Sequence, residues 1–343
     1  MASEQKRGDV SIRHSIRWFS TTSSSSSSDT PPPSEPTSTI VLTSPGGRFV
    51  DLRILKEDPS SPDHTSVFSP QPQPASETEA EEVKTLTLSR LDWAIAGTST
   101  HTPTRPTIGY YGQKLILPDG RTVNGSVADL KQGKQPYQRG RWTHWVDSRV
   151  VYTGEGAGEE VADEGDMYRI PGEHNEKLTL EKGRMVNPET GREEEYEEVW
   201  GPDEEGVAEP PYVKCVVWEL DNEAENRGAE GRVVRVGRWT QGILRRGNEL
   251  LCERWRWVGG EDERTRWRLE ARVRGYVGGE EREKLDIEAG RFNPTLSWPG
   301  QELEFSKGLI ADVIGVGDPG KMEVGNMVQE RNGDVWTLVE WCP

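Results

Sequence analysis

From Arg266 to Arg274 the chain alternates without a break: Trp267, Leu269, Ala271 and Val273 are apolar, and every residue between them is charged. Successive side chains of an extended strand point to opposite faces, so this segment turns one face to a core and the other to water. A helix cannot do this, because its period is about 3.6 residues rather than 2. Arg254-Trp255-Arg256-Trp257-Val258 follows the same rule. No amphipathic helix longer than about two or three turns can be drawn anywhere. Short apolar runs separated by Gly- and Pro-rich turns point instead to an all-β chain of many antiparallel strands, arranged as a barrel or a sandwich.

The chain also echoes itself. Thr39-Ile40-Val41-Leu42 and Arg48-Phe49-Val50-Asp51-Leu52 recur as Cys215-Val216-Val217-Trp218 and Arg232-Val233-Val234-Arg235-Val236. Trp93-Ala94-Ile95-Ala96-Gly97 recurs as Trp239-Thr240-Gln241-Gly242, and Arg141-Trp142-Thr143-His144-Trp145-Val146 as Arg254-Trp255-Arg256-Trp257-Val258. Met185-Val186 with Gly191 returns as Met327-Val328 with Gly333. Collinear repeats of this kind imply two copies of one β-rich unit. A length of 343 residues accommodates two domains.

Composition sets further bounds. Only 32% of residues are hydrophobic, while 37 Gly and 23 Pro favour loops, so ordered cores must coexist with disordered inserts. The expected organisation is a mostly disordered Ser/Pro-rich segment at 1–38 with a strand at 11–19, a first barrel at 39–205 with insertions at 57–82, 100–140 and 154–180, and a second barrel at 206–343. A net charge of −17 argues against non-specific binding to nucleic acid or anionic lipid. No apolar run reaches the roughly 18–20 residues needed to span a bilayer. Three widely spaced cysteines, at 215, 252 and 342, fit a reducing compartment better than a disulfide framework.

Few motifs carry chemistry. The segment 315–321 fits a Gly-rich phosphate loop in spacing, but Pro319 removes an N–H from the cradle and Met322 stands where a hydroxyl would hold magnesium. A connecting turn is the better reading. The histidines at 14, 64, 101, 144 and 174 lack metal-ligand spacing, and no nucleophile signature is present. No catalytic, cofactor or metal residues are therefore assigned. Gly237-Arg238-Trp239, with Gly242 behind, looks like the G-x-W signature of lipocalin-type barrels, in which a Trp plugs the closed end under an Arg. Trp93 and Gly97 hold the corresponding places in the first copy.

Between residues 232 and 274, 12 arginines face 6 acids and are interleaved with tryptophans. Because the tryptophans alternate with the arginines, they point into a core where bases can hardly stack on them, which argues against a single-strand nucleic-acid reader. The expectation is a basic face, including Arg256, Arg266 and Arg268, covered by the acidic 193–205 segment or by an acidic partner. Hydroxyls precede acids at 23–29 and in Ser76-Glu77-Thr78-Glu79, a pattern that acid-directed kinases read.

Trp93-Ala94-Ile95-Ala96-Gly97-Thr98, Glu198-Val199-Trp200, Val236-Gly237-Arg238-Trp239-Thr240-Gln241-Gly242 and Asn332-Gly333-Asp334-Val335-Trp336-Thr337-Leu338-Val339-Glu340 resemble the fungal Hri-type proteins, collinearly from about residue 39 to the end. The resemblance implies two lipocalin-like β-barrels in one chain, interaction with a casein-kinase-type serine/threonine kinase, and a cytoplasmic and nuclear location. It brings no catalytic residues. The expected function is thus a non-enzymatic interaction or adaptor protein. The alternative is a carrier of a small apolar ligand or haem in one barrel, for which an open apolar interior would speak. The richness in Trp leans towards filled barrels. Charged residues pointing inward from several strands would instead favour catalysis.

Overall fold

The computed structural model describes residues 8–19, 31–56, 85–104, 107–108, 114–116, 120–124, 136–151, 161–170, 177–203, 215–220, 228–258, 267–278, 323–329 and 334–342. The segment 315–321, Arg266 and the Ser-acid tracts lie outside them. The strands of the first half are β1 (Asp9–Phe19), β2 (Thr37–Thr43), β3 (Arg48–Leu55), β4 (Thr85–Leu86), β5 (Leu91–Pro103), β6 (Thr107–Ile108), β7 (Lys114–Ile116), β8 (Thr122–Asn124), β9 (Gln138–Asp147), β10 (Ala162–Arg169), β11 (Thr179–Asn187) and β12 (Arg192–Pro202). Those of the second half are β13 (Cys215–Leu220), β14 (Ala229–Val236), β15 (Trp239–Arg246), β16 (Glu249–Trp257), β17 (Trp267–Tyr276), β18 (Met327–Gln329) and β19 (Val335–Cys342).

Eight strands close a barrel in the order β1-β12-β11-β10-β9-β5-β3-β2. It is an antiparallel meander from β2 to β12, sealed by β1, which pairs with β12 on one side and β2 on the other. The strand expected at 11–19 is therefore a stave of the barrel. So is β10, although it falls inside a stretch that reads as an acidic insertion. Its Asp163 and Gly165 occupy inward positions, and alternation is invisible where the interior is itself polar. Residues 107–108, 114–116 and 122–124 form a separate small sheet, β6-β7-β8.

The second half supplies seven strands of an eight-stranded sheet, β18-β19-β13-β14-β15-β16-β17-β4, whose last strand comes from the first half. Among the described residues it is not closed, so the tandem-barrel expectation gives way to one closed barrel and one open sheet. The echoed blocks do fall on strands of the same meander order, β2, β3, β5 and β9 against β13, β14, β15 and β16. Trp93 and Trp239 nonetheless face different surroundings. Trp93 packs with Phe49, Ile95 and Tyr196 inside the barrel, whereas Trp239 joins the layer between barrel and sheet.

That layer is the largest core. Ile40, Leu42, Val50, Leu52, Ile54, Ala94, Ala96 and Val146, on the outer wall of the barrel, meet Cys215, Val217, Val234, Val236, Ile243, Leu250, Cys252, Ala271 and Val273 of the sheet. Each fully buried Leu- or Ile-sized chain contributes about 1.5–3 kcal/mol. A second cluster, with Val216, Trp218, Leu244, Leu251 and Trp336, lies on the far face of the sheet. β4 reaches across to pair with β17 in parallel.

The arginines of this sheet correct the sequence reading. β16 is covered on both faces: Trp255 turns to the far cluster, and Arg254, fully buried, turns to the barrel. What meets it is backbone rather than acid. Arg254 donates to the carbonyls of Leu52 at 2.7 Å and Ser38 at 3.2 Å, and to the Gln241 side chain at 2.7 Å. Gln241 donates to the carbonyls of Ile40 and Val50. Arg245 reaches the carbonyls of Asp147 and Val150, and Arg232 those of Phe49 and Gly97. A guanidinium carries five donors, enough to satisfy several carbonyls at once where no water enters. Of the acidic 193–205 segment, 192–202 is β12, committed to β1 and β11, while Asp203 just beyond it accepts the indole N–H of Trp239. Of the expected basic face, Arg256 lies over the Trp239 ring at 5.2 Å with Glu270 3.9 Å away, and Arg268 is exposed.

Candidate functional site in the barrel interior

The barrel is hollow. Its cavity of about 1010 Å³ is lined by side chains from every stave, among them Ser11, Val41, Phe49, Asp51, Arg53, Ile95, Trp142, His144, Asp163, Met167, Glu181, Met185, Tyr196 and Glu198. Filling was the expectation, because tryptophans are abundant. Most of them, however, stand elsewhere: Trp145 and Trp239 pack in the layer against the sheet, and Trp218, Trp255, Trp336 and Trp341 in the far cluster.

Glycines open the room. Gly140, Gly165 and Gly183 sit directly opposite one another on β9, β10 and β11, and Gly183 in turn opposes Tyr196 on β12. All three hold inward positions, and neighbouring side chains lie across them. A Cβ on Gly165 would meet the Glu181 side chain at 2.8 Å, one on Gly183 the Tyr196 hydroxyl at 2.5 Å, and one on Gly140 the Trp142 ring at 2.3 Å. The bare wall lets Glu181, Tyr196 and Trp142 lie flat rather than fill the lumen.

Trp93 plugs one end. Its indole N–H donates to Asp147 at 2.7 Å, and Arg149 and Arg53 stand over its ring at 4.0 and 5.0 Å. The plug was expected of Trp239, which packs instead in the layer between barrel and sheet. Gly97 serves a different purpose: at the bulge between β5 and β9 a Cβ there would lie 1.7 Å from the Thr143 carbonyl oxygen. Gly237 adopts φ +54° in the tight β14–β15 turn, and Gly242 pairs with Val233 and Glu253 in the sheet. Exposed His101 and Lys177 line the other end of the cavity, at its rim.

A charged network crosses the floor. Glu198 accepts from Arg13 at 2.6 Å and Arg53 at 3.3 Å; Arg13 also binds Glu35 at 2.7 Å, and Arg53 binds Oδ2 of Asp51 at 2.9 Å. His144 hydrogen-bonds Asp147 through Nδ1 at 2.8 Å, while its Nε2 lies 3.2 Å from Asp163 without hydrogen-bond geometry. The β9 bulge makes this possible. Ala96 pairs with Val146 and Gly97 with His144, so Trp145 is the extra residue, and His144 and Asp147, three apart, face inward together. Burial opposes a charged imidazole, but the two carboxylates outweigh it and raise His144 to about 9. Glu181 accepts the Tyr196 hydroxyl at 2.7 Å. Burial, reinforced by nearby Glu198, lifts Glu181 to about 8, so it stands as a neutral acid at pH 7.

The floor sets Arg13, Arg53, His144 and Arg149 among Glu35, Asp51, Asp147, Asp163, Glu181 and Glu198, with Lys177 at the rim. Of this set the sequence had singled out His144 alone, and had left its direction open. The acids were too common in the chain to stand out, and their inward parity becomes visible only once the staves and bulge are placed. Among the described residues no group of three His, Cys, Asp or Glu is arranged to hold a metal ion.

A family model described as Protein HRI1 matches residues 9–340. No curated protein matches the chain. Among solved structures, the chain is similar to one titled as the crystal structure of uncharacterized protein YLR301w from Saccharomyces cerevisiae, at 14% identity and a TM-score of 0.47, covering 98% of this chain and 100% of that one.

Proposed function

The chain belongs to the Protein HRI1 family, and on that premise we propose that it is a binding protein that holds one small amphipathic molecule inside its N-terminal barrel. The observation that supports this most is the cavity of about 1010 Å³ with a charged floor and an apolar wall. Eight-stranded barrels of this size hold a single small ligand, and a pocket that fixes an amphipathic guest needs apolar area plus a few placed polar groups. Haem is a poor candidate, because Asp147 and Asp163 favour the protonated form of His144, and a protonated imidazole cannot ligate iron.

The neutral dye N-phenyl-1-naphthylamine provides the test. It should bind with one site per chain and a fluorescence rise, and Met185→Trp, which adds a ring inside the cavity, should abolish that rise without lowering the melting temperature. Binding unchanged by Met185→Trp would place the dye elsewhere and remove the reading.

Acid–base catalysis on the bound molecule is the second reading, favoured by the inward polar cluster and by the proton held on Glu181. Native mass spectrometry of protein from its own cells separates the two. A ligand retained at constant mass fits a carrier, whereas conversion that stops in Glu181→Gln fits an enzyme. The kinase partner and the cytoplasmic and nuclear location rest on the family resemblance. A lipocalin-like descent of both halves draws support from the shared meander order of the echoed strands.

A further inference from the structure

We infer that the polar end of the cavity selects an organic cation, taking an ammonium-type head group at Asp51 while the tail lies along the apolar wall. This rests on the binding reading above. Asp51 is 4% exposed and lines the cavity. Its Oδ2 is taken by Arg53 at 2.9 Å, but its buried Oδ1 has no hydrogen-bond partner among the described residues. A buried carboxylate oxygen left unsatisfied is costly, so the site is built to receive a donor.

The identity of that donor follows from what surrounds it. Arg53 is already shared between Asp51 and Glu198, and Arg13 between Glu198 and Glu35, so neither guanidinium is available as a cation for Oδ1. An ammonium group satisfies Oδ1 with a charge-assisted hydrogen bond, whereas a carboxylate guest would set one acceptor against another. Phe49, Ile95, Trp142, Met167 and Met185 supply the apolar wall, with Met and aromatic faces suited to an alkyl chain beneath a cation.

Displacement of N-phenyl-1-naphthylamine by octylamine, octanol and octanoate at pH 7 tests this on the full chain. Octylamine should compete at least about tenfold more tightly than octanoate, the equivalent of one charge-assisted hydrogen bond. Asp51→Asn is nearly isosteric. Its amide oxygen can keep Arg53 and its NH₂ then takes the place of Oδ1, so the preference should invert in favour of octanoate while octanol is unaffected. Melting curves confirm that the variant is folded. If the dye enters and octanoate competes as well as octylamine in the native protein, the cation assignment is wrong and the carrier reading survives. If octylamine is preferred but Asp51→Asn leaves the preference intact, Asp51 is not the recognition group. If the dye and all three competitors fail to bind, both readings fall together.

Discussion

Burial works against a charged imidazole at His144, yet Asp147 and Asp163 hold its proton to about pH 9. A base whose folded pKa lies above its unfolded value of roughly 6.5 stabilises the fold fully below that value and loses the contribution as pH rises through about 9. Glu181, facing Tyr196 and Glu198 of β12, Arg53 of β3 and Asp163 of β10, also has a raised pKa, so its share is lost earlier, between about 4.5 and about 8. Urea unfolding should therefore show stability falling across both windows. His144→Asn should flatten the upper one, by something on the order of 2 kcal/mol, and Glu181→Gln the lower. A native protein whose stability is level from pH 6.5 to 9 would contradict the His144 geometry. None of this was legible in the sequence. A histidine between two tryptophans carries no sign of its direction, and the bulge that decides it depends on which residue of β9 goes unpaired.

Strands were far easier to read than the faces they present. Period-2 alternation located β17 and β16, because each has at least one face on a hydrocarbon core. The same rule failed for β10, whose inward residues line a polar lumen. It misdirected Arg254 because a charged residue was read as facing water. Of the signature residues, Trp239 closes no barrel but packs between barrel and sheet, Trp93 packs inside the barrel, and Gly97 is required by close approach rather than by a turn. Gly97→Ala should force the Thr143 carbonyl aside, undo the β5–β9 bulge and cost more than about 2 kcal/mol. Because that bulge also aims His144 and Asp147 inward, the His144 titration seen by NMR should move towards the ordinary imidazole range in the same variant. A drop in stability with His144 unmoved would uncouple bulge and network.

Taken whole, the molecule is a hollow body braced by a sheet. The floor of the barrel is polar beside a smaller apolar cluster of Ile16, Phe49, Trp93, Ile95, Met185 and Tyr196, so the apolar layer against the sheet supplies the larger hydrophobic share. Arg254 lies at the heart of the joint, where burial lowers it to about 10, Glu270 and Asp51 pulling the other way, and it still remains charged at neutral pH. Arg254→Ala should remove about 3 kcal/mol or more, since it strands the carbonyls of Ser38 and Leu52 away from water. Calorimetry should show barrel and sheet melting in one transition in both proteins; two resolved transitions in the native chain would mean that the halves stand independently. The same joint imposes an order on biosynthesis. Ile40, Leu42, Val50, Leu52 and Ile54 leave the ribosome well before Cys215–Leu220 and Trp239–Arg246, the strands that cover them. Throughout that interval the nascent chain displays an apolar wall without its brace, so the first half is a natural client for chaperones until the second has been translated.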